Sequence, residues 1–184
     1  DSTFENNTAW TGEESSSWGG AIDTCFDTVI IDSEFINNTA ECGGAISASF
    51  GTVEISGSNF TENKAIAGGA IYSINSDVSI AESNFTENEA IEEAGAIYNG
   101  AEGALTIESS DFIGNSATLG GAIYNDEEGE LSAYAEITDS TFIDNSAVIA
   151  GAIANEGIGL LQKLLNLKGY GALSQSPFFA AINL

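Results

Sequence analysis

Arginine and histidine are absent from the 184 residues, and lysine occurs only as Lys64, Lys163 and Lys168. Against these stand 28 aspartates and glutamates, for a formal net charge of −25. A nucleic-acid binder needs a basic footprint, which this chain lacks. Bare anionic lipid repels it for the same reason. Without histidine there is no Ser-His-Asp or Cys-His relay and no His-ligated zinc. Without arginine there is no bidentate clamp for a phosphate. No stretch reaches the run of about 18 apolar residues that a membrane-spanning helix requires. Proline occurs once and glycine 21 times, in a chain rich in Ser, Thr, Asn and Ile, which is not the composition of an α/β enzyme. The apolar fraction of 43 % separates the chain from disordered acidic tails. Its length suffices for one domain with a sizeable core.

What the chain does have is internal repetition, and this decides its architecture. A motif Ser-x-Phe-x-x-Asn-x-Ala occurs six times. Its aromatic positions are Phe4, Phe35, Phe60, Phe85, Phe112 and Phe142, and its amides are Asn7, Asn38, Asn63, Asn88, Asn115 and Asn145. A second motif, Gly/Ala-Gly-Ala-Ile, follows each copy and ends at Ile22, Ile46, Ile71, Ile97, Ile123 and Ile153. Five residues before each later Phe stands another isoleucine: Ile30, Ile55, Ile80, Ile107 and Ile137. The Phe-to-Phe spacings are 31, 25, 25, 27 and 30.

A period near 25 with short strand-like segments means a β-solenoid, in which strands of successive turns pair in parallel and like residues stack on like. Right-handed connections are the default for parallel strands. The expected fold is therefore all-β, a right-handed single-stranded parallel β-helix of about six turns. The Phe, Ala and Ile columns fill the interior, and the Asn column sits at a corner where its amides hydrogen-bond along the stack. Ser and Phe, two apart, share a face. The Ile five before Phe can share that face only if the chain bends between them. The residue three before Phe is indeed polar or a turn former: Asp32, Gly57, Glu82, Ser109 and Asp139. The paired glycines make a second corner. The third corner, after Ile, varies in length and reads as a surface loop.

The tandem Gly-Gly-Ala-Ile and Phe-x-x-Asn motifs resemble the polymorphic membrane proteins of chlamydiae and the wider class of secreted right-handed β-helix surface proteins of bacteria and archaea. The resemblance covers residues 1 to about 153. It implies an exported adhesin or surface scaffold, and it transfers a fold and a location but no catalytic residue.

The repeat domain spans 1–153, and 154–184 is expected to be a cap or an assembly segment. Residues 1–153 carry a net charge of −26 and residues 154–184 a net charge of +1. Leu160, Leu161, Leu164, Leu165 and Leu167 fall at helical spacing, with Gly169 placed to end a short helix. Phe178 and Phe179 lie in the apolar stretch beyond. This segment either covers the last turn, as solenoids require, or docks on a neighbouring subunit. The chain opens at Asp1 inside a motif copy, which reads as a processed or excised product.

Other residues invite a site reading beside a plainer one. Cys25 and Cys42 are candidates for a disulfide, though straight stacking sets them apart; the plainer reading is two small buried residues. Tyr72, Tyr98 and Tyr124 follow Gly-Ala-Ile in successive turns and should point outward, as a platform for sugar rings or a protein or as ordinary cross-strand stacking. Trp10 and Trp18 flank a loop and mark a contact patch or anchor that loop. The acidic runs Glu13-Glu14, Glu92-Glu93 and 126–130 offer oxygen atoms to calcium, but in no defined calcium-loop spacing, and a solvated surface explains them as well. No other cofactor is indicated. Asn6, Asn37, Asn59 and Asn84 stand in glycosylation acceptor sequences.

Three classes of function follow. The first is an extracellular, non-enzymatic, self-assembling surface protein whose main partner is itself, head to tail. The second is an adhesin binding a glycan or protein ligand. The third is a polysaccharide-acting β-helix enzyme; it is disfavoured because no arginine can serve as a lyase base and no carboxylate pair stands out from the acidic background.

Overall fold

The computed structural model describes residues 1–9, 17–128, 131–161, 166–168 and 173–175. They form a parallel β-solenoid. The Phe-bearing strands make one seven-stranded sheet, which begins Thr3–Glu5, Glu34–Ile36, Asn59–Thr61 and Asn84–Thr86. It continues through Asp111–Ile113 and Thr141–Ile143 to Asn166–Lys168. Every Phe faces the next Phe in register, so the chain completes five turns between Phe4 and Phe142. A four-stranded sheet carries the segments that follow the motif asparagines, and an eleven-stranded sheet carries both isoleucine columns. Among the described residues one short antiparallel pair occurs, Glu127–Glu128 with Leu131–Ser132.

The corners explain how one core can take side chains from segments whose two-residue alternation would otherwise clash. Asp32, Gly57, Glu82, Ser109 and Asp139, the residues three before Phe, all have φ between 49° and 58°. A single residue in the left-handed region turns the strand and resets which side chains point inward. Ile55 and Phe60, five apart, are consequently both buried. The residues before the motif asparagines, including Asn37, Glu62, Glu87 and Asp144, repeat this device at the next corner. The corner after Ile is not always a loop. In two turns it lies within continuous strands, Ile46–Ser56 and Ile71–Ala81, which bend at Phe50 (φ 58°) and Asn75 (φ 51°).

The core is a set of columns. Phe35, Phe60, Phe85, Phe112 and Phe142 are fully buried, and their rings stack at centroid distances of 4.7 Å with planes within 2°. That distance equals the spacing of hydrogen-bonded strands, so backbone pairing and ring stacking reinforce one another. The second and third columns run through Ile46, Ile71, Ile97 and Ile123 and through Ile55, Ile80, Ile107 and Ile137.

Two polar ladders line the corners of the Phe sheet. In the first, Asn38 donates its backbone N–H (3.0 Å) and Nδ2 (2.9 Å) to Asn63 Oδ1, and Asn63 does the same to Asn88. The pattern repeats from Asn88 to Asn115 and from Asn115 to Asn145. Each Nδ2 also reaches a phenylalanine carbonyl, as Asn63 does to Phe35 O at 2.9 Å. In the second ladder, the N–H groups of Ser33, Ser58, Ser83 and Ser110 donate to the hydroxyl of the next motif serine. Those hydroxyls donate in turn to the carbonyl two residues back. Buried corner backbone is thereby satisfied without water. Replacing Asn63 by Ala leaves the Asn38 N–H, the Phe35 carbonyl and Asn88 Oδ1 short of partners. We expect a loss of about 1–3 kcal/mol, the usual cost of a buried polar group left unmet. Denaturant unfolding checks this, and an unchanged midpoint would mean that the amide stack contributes nothing.

Beyond Ile153, where the motif stops, pairing continues. Ile158–Leu161 pairs with Tyr134–Thr138, Asn166–Lys168 with Thr141–Ile143, and Leu173–Gln175 with Ile153–Asn155. The helix expected from the leucine spacing is therefore corrected: Leu160, Leu161 and Leu167 lie in strands. The last motif turn offers a row of unpaired N–H and C=O groups, and pairing with that row outweighs the helical preference of leucine. Leu164, Leu165, Phe178 and Phe179 lie outside the described residues.

Candidate interaction surfaces

The tyrosine column takes the plainer of its two readings, a cross-strand stack and not an open platform. Tyr72, Tyr98 and Tyr124 are in register and do point away from the main core. A second, smaller cluster covers them, however, in which Tyr98 and Tyr124 are buried with Ala67, Ala94, Ala150 and Ala154. Ala67 and Ala94, from the corners that precede Gly-Ala-Ile, pack in this cluster with the rings. Tyr72 stacks on Tyr98 with centroids 4.6 Å apart, and Trp18 meets Tyr72 edge-on at 5.5 Å. Trp18 thus closes the aromatic column, while Trp10 and Glu13-Glu14 lie outside the described residues.

The phenols of this column end on carboxylates. Tyr98 donates to Asp126 Oδ2 at 2.6 Å. The Tyr124 hydroxyl lies 2.7 Å from Asp126 Oδ1 and 3.0 Å from Glu156 Oε2, and its single proton serves one of them at a time. Burial, followed by the hydrogen bond to Asp126, holds both phenols far above their ordinary range. Glu93 stands nearby, and its carboxyl is also raised, by burial first and then by Asp126, Glu92 and Glu156.

A raised carboxyl means that the folded state binds this proton more tightly than the unfolded chain does. Ionised Glu93 therefore costs stability above the raised value, and the cost disappears as pH falls through that value and past the ordinary 4.5. We expect Glu93→Gln to raise the melting temperature near neutral pH, with the gain shrinking to nothing below the ordinary carboxylate range. Thermal melts at both pH values check it; a gain independent of pH would rule out the titration account.

Cys25 is exposed and Cys42 half-buried, and neither is bridged. The backbone of Cys42 pairs with Trp18 on one side and Ala67 on the other, so it belongs to a different corner from Cys25. Burial, then Glu41 and Glu93, push its thiol up to about 11, which keeps it protonated and unreactive. Among the described residues no three metal-ligating side chains converge. The acceptor asparagines form outer ladders: Asn37 Nδ2 donates to Asn6 Oδ1 at 2.7 Å, and Asn84 Nδ2 to Asn59 Oδ1 at 2.8 Å. The nitrogen of Asn84 that a glycan would occupy is thus already engaged. Lys64 pairs with Glu89 at 2.9 Å, both half exposed, a contact of little energetic weight.

The serine ladder is a structural element whose role motif counting missed. Its signal was present, since Ser stands two before Phe in all six copies, but a hydroxyl shared between turns is not visible in spacing alone. Two apolar surfaces are also exposed: Ile91, Val148 and Ile149 on the four-stranded sheet, and Phe26, Val29, Ile31 and Phe50 on the early turns of the eleven-stranded one.

These columns and corners define a parallel β-solenoid of the Gly-Gly-Ala-Ile and Phe-x-x-Asn type. Residues 1–24, 32–49 and 109–126 match the model of the Chlamydia polymorphic membrane protein repeat, in agreement with the resemblance carried by the motifs. The repeat suggests a surface or secreted protein, and both it and the fold are typical of non-enzymatic surface proteins. No curated protein and no solved structure matches the chain significantly.

Proposed function

We propose that the chain is a non-enzymatic structural protein of the cell surface or the secreted space, which assembles with copies of itself end to end into a filament, sheath or layer. The observation that carries this reading is the set of unbroken, in-register columns, Phe on Phe and Ile on Ile, in which every rung repeats the pairing of the one before it. Thr3–Glu5 is the terminal strand of its sheet and pairs only with Glu34–Ile36 among the described strands. Beside it, Phe4, Ile22 and Ile30 line a concavity of about 320 Å³. Such an edge templates further parallel strands, and a head-to-tail contact of this kind propagates. The net charge of +1 on 154–184, against −26 on 1–153, favours contact of that segment with the acidic body of another copy.

A surface of this charge repels itself, so assembly requires salt or divalent cations to screen it. Negative-stain microscopy and sedimentation at high salt and high protein concentration should show polymers, and truncation after Gly169 should abolish them while β-sheet circular dichroism persists. A monodisperse monomer under those conditions overturns the reading.

A further inference from the structure

The outward residues of the first turn on the eleven-stranded sheet break the pattern of the turns after it. Val29 and Ile31 are 62 % and 52 % exposed. At the same two positions the following turns carry Glu54 and Ser56, Ser79 and Ala81, then Thr106 and Glu108. Small and polar residues suffice there for the fold, so packing does not require the apolar pair. At the adjoining corner Phe26 and Phe50, on neighbouring turns, are 80 % and 66 % exposed. Four large apolar side chains exposed on two neighbouring turns of one sheet mark an interaction surface, where scattered single residues would not.

The patch is also shaped and charged. A groove of about 330 Å³ runs from Val29 and Ile31 past Glu54 toward Ser79 and Ala81. Beside it lies a pocket of about 180 Å³ with Val29, Asp27 and Glu54 in its wall. The Thr52 N–H donates to Asp27 Oδ1 at 3.1 Å, which fixes that carboxylate in place. An apolar wall flanked by two carboxylates suits a lysine, whose methylene stem lies on valine while its ammonium reaches the acids. Nucleic acid and anionic membrane are repelled by the same charge. A second copy brings Lys64, which already pairs with Glu89, and Lys163 and Lys168 of the segment assigned above to the end-to-end contact.

We propose that this face binds a polypeptide segment of another protein in which basic and apolar side chains alternate. Val29 and Ile31 also border the concavity beside Thr3–Glu5, whereas Asp27, Glu54, Phe26 and Phe50 do not. Binding is therefore measured on protein that sediments as a monomer, and the proposal does not depend on self-assembly. The probe is a fluorescent peptide of alternating lysine and valine, followed by anisotropy at an ionic strength of about 0.15 M. A lysine–serine peptide and a glutamate–valine peptide serve as comparisons. We expect the lysine–valine peptide to bind. We expect affinity to fall about tenfold or more, the effect of losing one good contact, in Phe26→Ser/Phe50→Ser and in Asp27→Asn/Glu54→Gln. Val148→Ser on the four-stranded sheet should leave it unchanged. All these side chains are exposed, so circular dichroism and melting of the variants should match the parent. Absence of binding overturns the proposal. So does equal binding of the lysine–serine peptide, which would mean diffuse attraction to a polyanion, or equal loss in Val148→Ser, which would mean that any exposed apolar residue serves.

Discussion

Phe85→Ala is expected to destabilise the solenoid by about 3–5 kcal/mol, the range for truncating a fully buried aromatic residue. Phe85 has no exposed surface, and its ring lies 4.7 Å from those of Phe60 and Phe112, parallel to both. Removal takes away the transfer energy of the ring and both stacking contacts. The cavity cannot collapse, because strand pairing fixes the rung spacing at about the same distance. Loss at mid-stack should also divide the cooperative unit, since each turn of a solenoid contacts only its neighbours. Phe4 provides the comparison: it is only partly buried, stacks on Phe35 alone, and its truncation should cost much less. Denaturant melts of the two variants decide the matter; equal losses, or none at Phe85, would place the energy of the stack elsewhere.

How much of this was legible in the sequence depends on what each residue's position is determined by. The Phe and Ile columns were readable because a fixed period forces like onto like. The bends at Asp32, Gly57, Glu82, Ser109 and Asp139 were readable because Ile and Phe five apart have opposite parity, and only a turn can bring both inside. The tyrosines show where this reasoning stops. Parity says that Tyr98 leaves the main core, but it is silent on what covers it outside, and here that is Ala94 and its neighbours. The tail shows a second limit. Leucine spacing near 160–167 suits a helix locally, whereas the partner that makes Ile158–Leu161 a strand is Tyr134–Thr138, supplied by the turn before. The exposed Phe26 and Phe50 were invisible for a third reason: the repeat alignment places neither in a column, so no rule assigned them a face.

The glycine motif holds a distinction that the letters Gly/Ala-Gly-Ala-Ile already contain. Its first position has positive φ throughout, whether glycine, as at Gly43 and Gly68, or alanine, as at Ala94 and Ala150. Its second position is glycine in every copy, and the reason is proximity. A Cβ on Gly95 would lie 2.1 Å from the Gly121 carbonyl oxygen, 2.5 Å from Ser116 N and 2.7 Å from Ser116 O. Gly44 and Gly69 meet the next turn at the same 2.1 Å. All of these neighbours are backbone, held by bonds such as Ala94 N–H to Leu119 O at 2.9 Å and Ala96 N–H to Ala122 O at 2.8 Å. No rotamer change relieves the clash, so two turns must part and their hydrogen bonds must break. Gly95→Ala is therefore expected to cost more than about 4 kcal/mol, beyond the ordinary range for one substitution and above the effect of Phe85→Ala. Gly68→Ala also meets backbone, its Cβ lying 2.3 Å from the Ile71 carbonyl oxygen. That neighbour is three residues along the same corner, however, and the copies with Ala94 and Ala150 show that the corner accommodates alanine there. Gly68→Ala should therefore cost only about 1–2 kcal/mol, the penalty of a left-handed alanine. Expression, circular dichroism and denaturant melts of the pair test the difference. If Gly95→Ala folds within about 1 kcal/mol of the parent, roughly the effect of an average substitution, the turns are not packed backbone to backbone at this corner, and the glycine repeat needs another cause.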